Sequence, residues 1–199
     1  FCVLFTAVLE SAPCEALAKA KARDVPALLP EILHRVRLIW NTSEHYNVPE
    51  RVFGLLRRVA DAVVSRCAAE IDAKKILEND DVDKASESLR DAVAAGAAWK
   101  KTYEFTRDAV NRRHENNAAM RWEFENASLF AQLDAFVRRC EDLLETCDAQ
   151  RQFAPKAPMP VFGGSEGHEI TKSFSDIQRE FGKLVGTLAL AADAALDVK

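Results

Sequence analysis

Five cysteines, four histidines and one glycine-rich pentapeptide are the residues of this chain whose types could carry chemistry. The pentapeptide Gly163-Gly-Ser-Glu-Gly167 has the look of a phosphate cradle. Such a loop needs a following Lys-Ser or Lys-Thr and a preceding strand, and this one has neither, so it reads as a plain loop. The sole Gly-Lys pair, Gly182-Lys183, lacks the upstream glycine that a nucleotide loop requires. His34, His45, His114 and His168 share no metal-binding spacing: His114-Glu115 is not followed by a second histidine, and no Glu-x-x-His pair of a di-iron bundle occurs. Cys140 and Cys147 are seven residues apart on one helix, two turns or about 10 Å, which is too far for one tetrahedral zinc. No G-x-S-x-G elbow or cysteine flanked by glycines nominates a nucleophile. The sequence therefore predicts no catalytic, cofactor-binding or metal-ligating residue.

The bulk properties exclude further classes. With 199 residues the chain can hold one helical domain or two small bundles, and 48% hydrophobic with 29% charged residues is globular composition. The net charge of −4, from 27 basic against 31 acidic residues, gives no drive toward nucleic acid or an anionic membrane. No apolar run approaches the roughly 18–20 residues of a membrane span. Cysteines without C-x-x-C pairing, three of them (Cys67, Cys140, Cys147) on apolar helix faces, fit small buried hydrophobes in a reducing compartment. Phe1–Leu9 is apolar from its first residue and has no basic leader, so it reads as the inside of a helix or buried segment cut from a longer protein.

The elements that would position any site are helical. Strand alternation is almost absent. A first helical piece is expected near 1–22 and a second from Pro30 to Glu44, with Pro26 and Pro30 breaking the chain between them and Ile32, Leu33, Val36, Ile39 and Trp40 as a buried stripe. A third starts at Pro49, behind Val48 or Asn47 as a weak cap, and carries Val52, Leu55, Leu56, Val59, Ala62, Val63, Cys67 and Ile71 to about Asp72. A fourth covers 82–113, its face marked by Leu89, Val93, Gly96, Trp99, Tyr103, Thr106 and Val110, with Gly96 predicting a close approach by a neighbour.

The fifth, 128–153, has the strongest pattern: Leu129, Phe130, Leu133, Phe136, Val137, Cys140, Leu143, Leu144 and Cys147 form one stripe. Ser128 or Asn126 would cap it, and Asp134–Arg138 and Arg138–Asp142 are spaced to pair along its outer face. Residues 154–168, with three prolines and glycines at 163, 164 and 167, read as a connector. A last helix over 169–196 carries Ile170, Phe174, Ile177, Phe181, Leu184, Val185, Leu188, Ala192 and Ala195, a spacing like a coiled-coil seam. The resulting expectation is an all-α, elongated antiparallel bundle of five to six helices without a sheet. It divides into a bundle region 1–153, a Pro/Gly connector 154–168 and a long helix 169–199 that leads into a next bundle. Trp40, Trp99 and Trp122 are expected as core or interface anchors.

Several separated motifs then converge. Leu38-Ile-Trp-Asn-Thr-Ser-Glu-His-Tyr-Asn-Val-Pro-Glu-Arg51, Gly54-Leu-Leu-Arg57, Trp99-Lys-x-x-Tyr103, Ser128 to Cys147, Pro160-Val-Phe-Gly-Gly164 and Glu169-Ile-Thr-Lys172 occur in one order. In that order they resemble the N-terminal tail region of axonemal dynein heavy chains, most of all the two-headed inner-arm type. The chain departs from that pattern at Val48, where threonine is common, and at Arg121-Trp122, where Gly-Trp is common.

The resemblance implies a structural tail segment of a minus-end-directed, ATP-driven microtubule motor of cilia and flagella, with cytoskeletal, axonemal localisation. The ATPase ring, and hence the ATP, belongs to a region far C-terminal to this one, so the fragment itself is expected to be no enzyme and to hold no cofactor. The implied partners are another dynein heavy chain, intermediate and light chains and docking factors on the doublet microtubule, with no nucleic acid and no membrane. A helical adaptor or tethering subunit without a motor is the alternative, and a stand-alone helical enzyme a third.

Overall fold

The computed structural model describes residues 12–72, 76, 82–153 and 164–196. Phe1–Leu9 and Cys2 lie outside them, as do residues 154–163 of the Pro/Gly run. The described residues form six α-helices and no strand: α1 (Ala12–Lys19), α2 (Val25–Thr42), α3 (Pro49–Ala68), α4 (Val82–Arg113), α5 (Asn126–Phe153) and α6 (Gly164–Leu196), with 3-10 turns at Ala22–Asp24 and Ala118–Met120. The all-α expectation holds. Two compact units divide the chain, one of residues 1–71 and 88–140, the other of 72–87 and 141–199.

In the first unit, α1, α2 and α3 pack on one another. Most of the side chains that the helical spacing put inside are inside: Ile32, Leu33, Val36 and Trp40 on α2, and Val52, Leu55, Leu56, Val59, Val63 and Cys67 on α3, while Ile39 and Ile71 are half-buried. Ala62 is exposed and Ala60 is buried instead. The end of α3 also holds the link between α1 and α2. The Arg66 Nε donates to the Ala20 carbonyl, the Ala22 N–H donates to Glu70 at 3.1 Å, and Arg66 and Glu70 pair at 2.6 Å. α3 begins at Pro49 behind an extended Val48 that gives no side-chain cap, and it ends at Ala68, short of Asp72.

The start of α2 differs from expectation. It begins at Val25, with Pro26 in its first turn and Pro30 inside it. A helix-interior proline leaves the carbonyl four residues back without its N–H and crowds it with the ring, together a cost of about 3 kcal/mol. Here Pro30 is exposed while Val25, Leu29, Ile32 and Leu33 are fully buried. The proline lies on the water side, and burial of the opposite face carries the helix through it. α6 likewise begins at Gly164, not 169. Glycine inside a helix costs about 1 kcal/mol against alanine, a penalty that does not forbid a turn through Gly164 and Gly167.

α4 and α5 meet in the first unit as the sequence foretold at Gly96. A Cβ built there would stand 2.6 Å from Val137 Cγ2. Alanine at 96 gains roughly 1 kcal/mol of helix propensity, but the facing valine is β-branched and cannot rotate away. Overpacking of this kind costs about 1–3 kcal/mol. Gly96→Ala is therefore expected to destabilise the chain by roughly 1 kcal/mol, and to become stabilising by a similar amount in a Val137→Ala background. Urea unfolding of the four-member mutant cycle reads the sign, and a stabilising Gly96→Ala in the parent chain would refute the close approach.

Beside this contact, Lys100 of α4 pairs with Asp134 of α5, and its ammonium stands 5.5 Å from the centre of the Phe130 ring. Asp134, expected to pair along its own helix, is thus drawn across to α4. Neither proposed cap acts at the start of α5. The helix opens with the Leu129 N–H bonded to the Glu125 carbonyl, the Ser128 hydroxyl donates to the Glu125 carboxylate at 2.6 Å, and Asn126 Oδ1 is buried without a donor.

In the second unit, Arg151 near the end of α5 joins the start of α4. It donates to Asp83 through Nε (2.9 Å), to the Ser86 hydroxyl through Nη2 (2.8 Å) and to Asp148 through Nη1 (2.7 Å). The hydrogen bond to Asp83 is the main reason the guanidinium is held protonated above its ordinary range. The whole arrangement is solvent-screened, so it sets geometry more than stability. Leu143 and Cys147 continue the α5 stripe in this unit as buried side chains.

Candidate protein-interaction surfaces

No three His, Cys, Asp or Glu side chains among the described residues are grouped to hold a metal. The histidines have separate surroundings: His34 Nδ1 accepts from Arg37 at 3.0 Å, His45 Nδ1 from Arg51 at 2.7 Å, and His114 Nε2 bonds Asn41 Oδ1 at 3.2 Å. Gly164 and Gly167 of the glycine-rich pentapeptide are spent in the first turn of α6. Burial pushes the Cys67 thiol up to about 12 from its ordinary 9.0, with the Glu70 carboxylate adding to the rise and Arg66 opposing it. A thiol so protonated is inert as a nucleophile. No helix of the described residues is long and apolar enough to cross a membrane.

The first unit contains instead an aromatic nucleus that fixes one loop. Trp122 is fully buried, edge-on to Trp40 (centroids 6.4 Å, 80°), stacked on Tyr103 (6.2 Å, 14°) and tilted against Phe124 (6.0 Å, 38°). Tyr103 in turn meets Phe130 of α5 edge-on at 5.4 Å. The segment 114–125 has no helical pattern of its own and is pinned from outside. The Trp40 indole donates to the Met120 carbonyl at 3.0 Å; the Trp122 N–H donates to Asn111 Oδ1 at 2.7 Å and Asn111 Nδ2 reaches the Trp122 carbonyl at 3.5 Å. Burial pushes the Tyr103 hydroxyl up to about 12, partly offset by Arg107. The folded chain thus keeps this phenol neutral where the unfolded chain ionises it. Its contribution is complete below pH 10.0, the ordinary tyrosine value, and is lost as pH climbs toward 12.

This pinned loop forms one wall of a groove of about 710 Å³, whose other wall is the end of α4. Phe105, Asp108, Asn111 and Arg112 line it from α4, Glu115 from the turn and Arg121 from the loop. Arg121 stands between the two held peptide units, Met120 and Trp122, so its position is set before any contact. Phe105 is 72% exposed, the most exposed large apolar side chain described. It lies two residues past Tyr103, off the buried stripe of α4. An aromatic on the polar side of an amphipathic helix was the signal available in the sequence, and sequence reasoning passed over it.

In the second unit, α6 turns an apolar line outward. Ile170, Phe174, Ile177 and Leu184 are 55–64% exposed while Val185 is buried. The expected seam is real but split: Val185 packs inward, and the line of Ile170, Phe174, Ile177 and Leu184 looks to solvent. Three ion pairs, Asp176–Arg179 (2.8 Å), Glu180–Arg179 (4.0 Å) and Glu180–Lys183 (2.8 Å), link four of its charges along the helix.

Comparison with known proteins gives the family of the chain. Residues 5–199 match the family model described as dynein heavy chain, N-terminal region 1. The dynein-1-beta heavy chain of the flagellar inner arm I1 complex of Chlamydomonas reinhardtii is 44% identical over 187 residues, covering 94% of this chain and 4% of that one. The ciliary dynein beta chain of Heliocidaris crassispina is 25% identical over 168 residues, 84% of this chain and 4% of that one. Human dynein axonemal heavy chain 10 is 26% identical over 125 residues, 63% and 3% respectively. The chain thus spans only a few per cent of the length of these relatives.

Proposed function

The chain belongs to the dynein heavy chain family, in its N-terminal region 1, and on that premise we propose that it is an assembly segment in the tail of an axonemal dynein heavy chain. The reading is that of a structural piece of a ciliary or flagellar motor complex. Through protein–protein contact it pairs with another heavy chain or carries intermediate and light chains, and so helps hold the motor on the doublet microtubule. Movement toward microtubule minus ends, and the ATP that drives it, belong to the rest of such a heavy chain.

The observation that carries the proposal is the exposed line Ile170, Phe174, Ile177 and Leu184. Fully burying each such side chain is worth roughly 1.5–3 kcal/mol. Four of them supply of the order of the cost of holding two chains together. Asp176, Arg179, Glu180 and Lys183 are already paired along the helix and gain little from a charged partner, so the favourable term there is apolar contact. Chemical crosslinking in intact axonemes tests this through Lys172 and Lys183, which lie within the span of the line. Crosslinks to a second polypeptide are expected. Crosslinks confined to the same heavy chain would make the segment a spacer.

A further inference from the structure

We propose that the groove between the end of α4 and the 118–122 loop takes a partner polypeptide segment carrying a single carboxylate beside an apolar side chain, with the carboxylate on Arg121 and the apolar group on Phe105. The inference rests on the reading of this chain as an assembly segment, but it concerns the other compact unit and a different chemistry.

The charges of the groove decide the sign of its occupant. Of the lining carboxylates, Asp108 is already paired with Arg107 at 3.0 Å. Of the lining cations, Arg112 gives its Nε to the Asp108 main-chain carbonyl at 3.3 Å, which neutralises no charge. Arg121 has a 3.3 Å contact from Nη1 to Glu123, and its Nε is shielded from water without any acceptor. A guanidinium that has lost part of its hydration and gained only one loose carboxylate contact is under-neutralised. Its attraction for an added anion is stronger than that of a fully hydrated arginine. Glu115, on the exposed turn, is the lining carboxylate that repels, so one acidic residue fits and an acidic run does not.

Phe105 supplies what the charge contact lacks. An exposed ion pair contributes little by itself, whereas a projecting aromatic is the usual anchor of a protein interface and the adjoining charge fixes register. The groove is open and shaped by a loop held at Met120 and Trp122, so docking needs no rearrangement of this wall.

The test uses the full-length heavy chain assembled in its complex, with benzoylphenylalanine in place of Phe105 as a photo-crosslinker. The expected adduct lies on another polypeptide, within about one helical turn of an Asp or Glu. Arg121→Gln should lower its yield by roughly tenfold, Arg121→Lys should retain most of it, and added salt should weaken it. Adducts confined to the same heavy chain, or a yield indifferent both to Arg121→Gln and to salt, would overturn the proposal. The salt series needs no variant and so decides the matter even if Arg121→Gln does not fold. Adducts at position 105 on a second polypeptide, with Lys172 and Lys183 crosslinking only within their own chain, would uphold the groove and remove the α6 line. The opposite pattern would do the reverse.

Discussion

Trp122→Ala is expected to cost the first unit about 3–5 kcal/mol, whereas Trp122→Phe should cost less than about 1.5 kcal/mol. The indole is fully buried and touches Trp40, Tyr103 and Phe124, so truncation opens a cavity beside two rings, Trp40 and Tyr103, that are held by α2 and α4 and collapse poorly. Each aromatic pair adds about 0.5–1.5 kcal/mol beyond its area. Phenylalanine keeps most of that contact. It also removes the Trp122 Nε1, a buried donor with no acceptor. An unmet donor costs about 1–3 kcal/mol, so its removal offsets the lost volume. Chemical denaturation of the two variants separates these terms. Equal losses would show that the ring packing is not what holds the 114–125 segment. The Arg121 wall of the groove should loosen in the alanine variant alone, because Trp122 anchors the peptide that follows Arg121.

The parts of this fold that were legible in the sequence are those written in a repeating local code. The α4 stripe through Leu89, Trp99, Tyr103 and Val110 is buried as spaced, and α4 itself runs over the residues expected for it. Gly96 announced its close neighbour because glycine inside a long helix has few other uses. Pro30 misled because burial of Val25, Leu29, Ile32 and Leu33 outweighs its cost, and that burial is settled by tertiary packing. Asp134 misled for the same reason: Lys100 of a neighbouring helix is a competitor that spacing along α5 does not reveal.

The central place of Trp122 was least legible. It lies in a segment with no period at all, fixed by Trp40 and Asn111, which are 82 and 11 residues away in sequence. The groove inherits that difficulty, since one of its walls is this segment. The sequence nominates no catalytic constellation, and the exposure of a surface is a property of the folded units. Phe105 and the α6 line differ here. The α6 line was visible as a seam whose covering was unknown, whereas Phe105 was a single aromatic out of phase with its helix.

Phe136→Ala is expected to cost about 3–5 kcal/mol, the other large effect in the first unit. The reasoning begins with the stripe of α5. Leu129, Phe130, Leu133, Phe136 and Cys140 are all buried in this unit, with Phe136 4% exposed. Leu133 of that stripe, and Val137 next to Phe136, approach Gly96 of α4. A helix surface brought that near leaves little room for neighbours to fill a vacated ring, so the cavity term is added almost whole to the lost transfer energy. The small residue at 96 makes the approach possible, and the large one at 136 gains from it. A destabilised background made by Gly96→Ala should therefore change the cost of Phe136→Ala by more than the roughly 0.5 kcal/mol allowed for independent sites. Urea melts of both singles and the double measure this coupling. A Phe136→Ala loss below about 1 kcal/mol would mean that α5 does not form an inner wall of the unit.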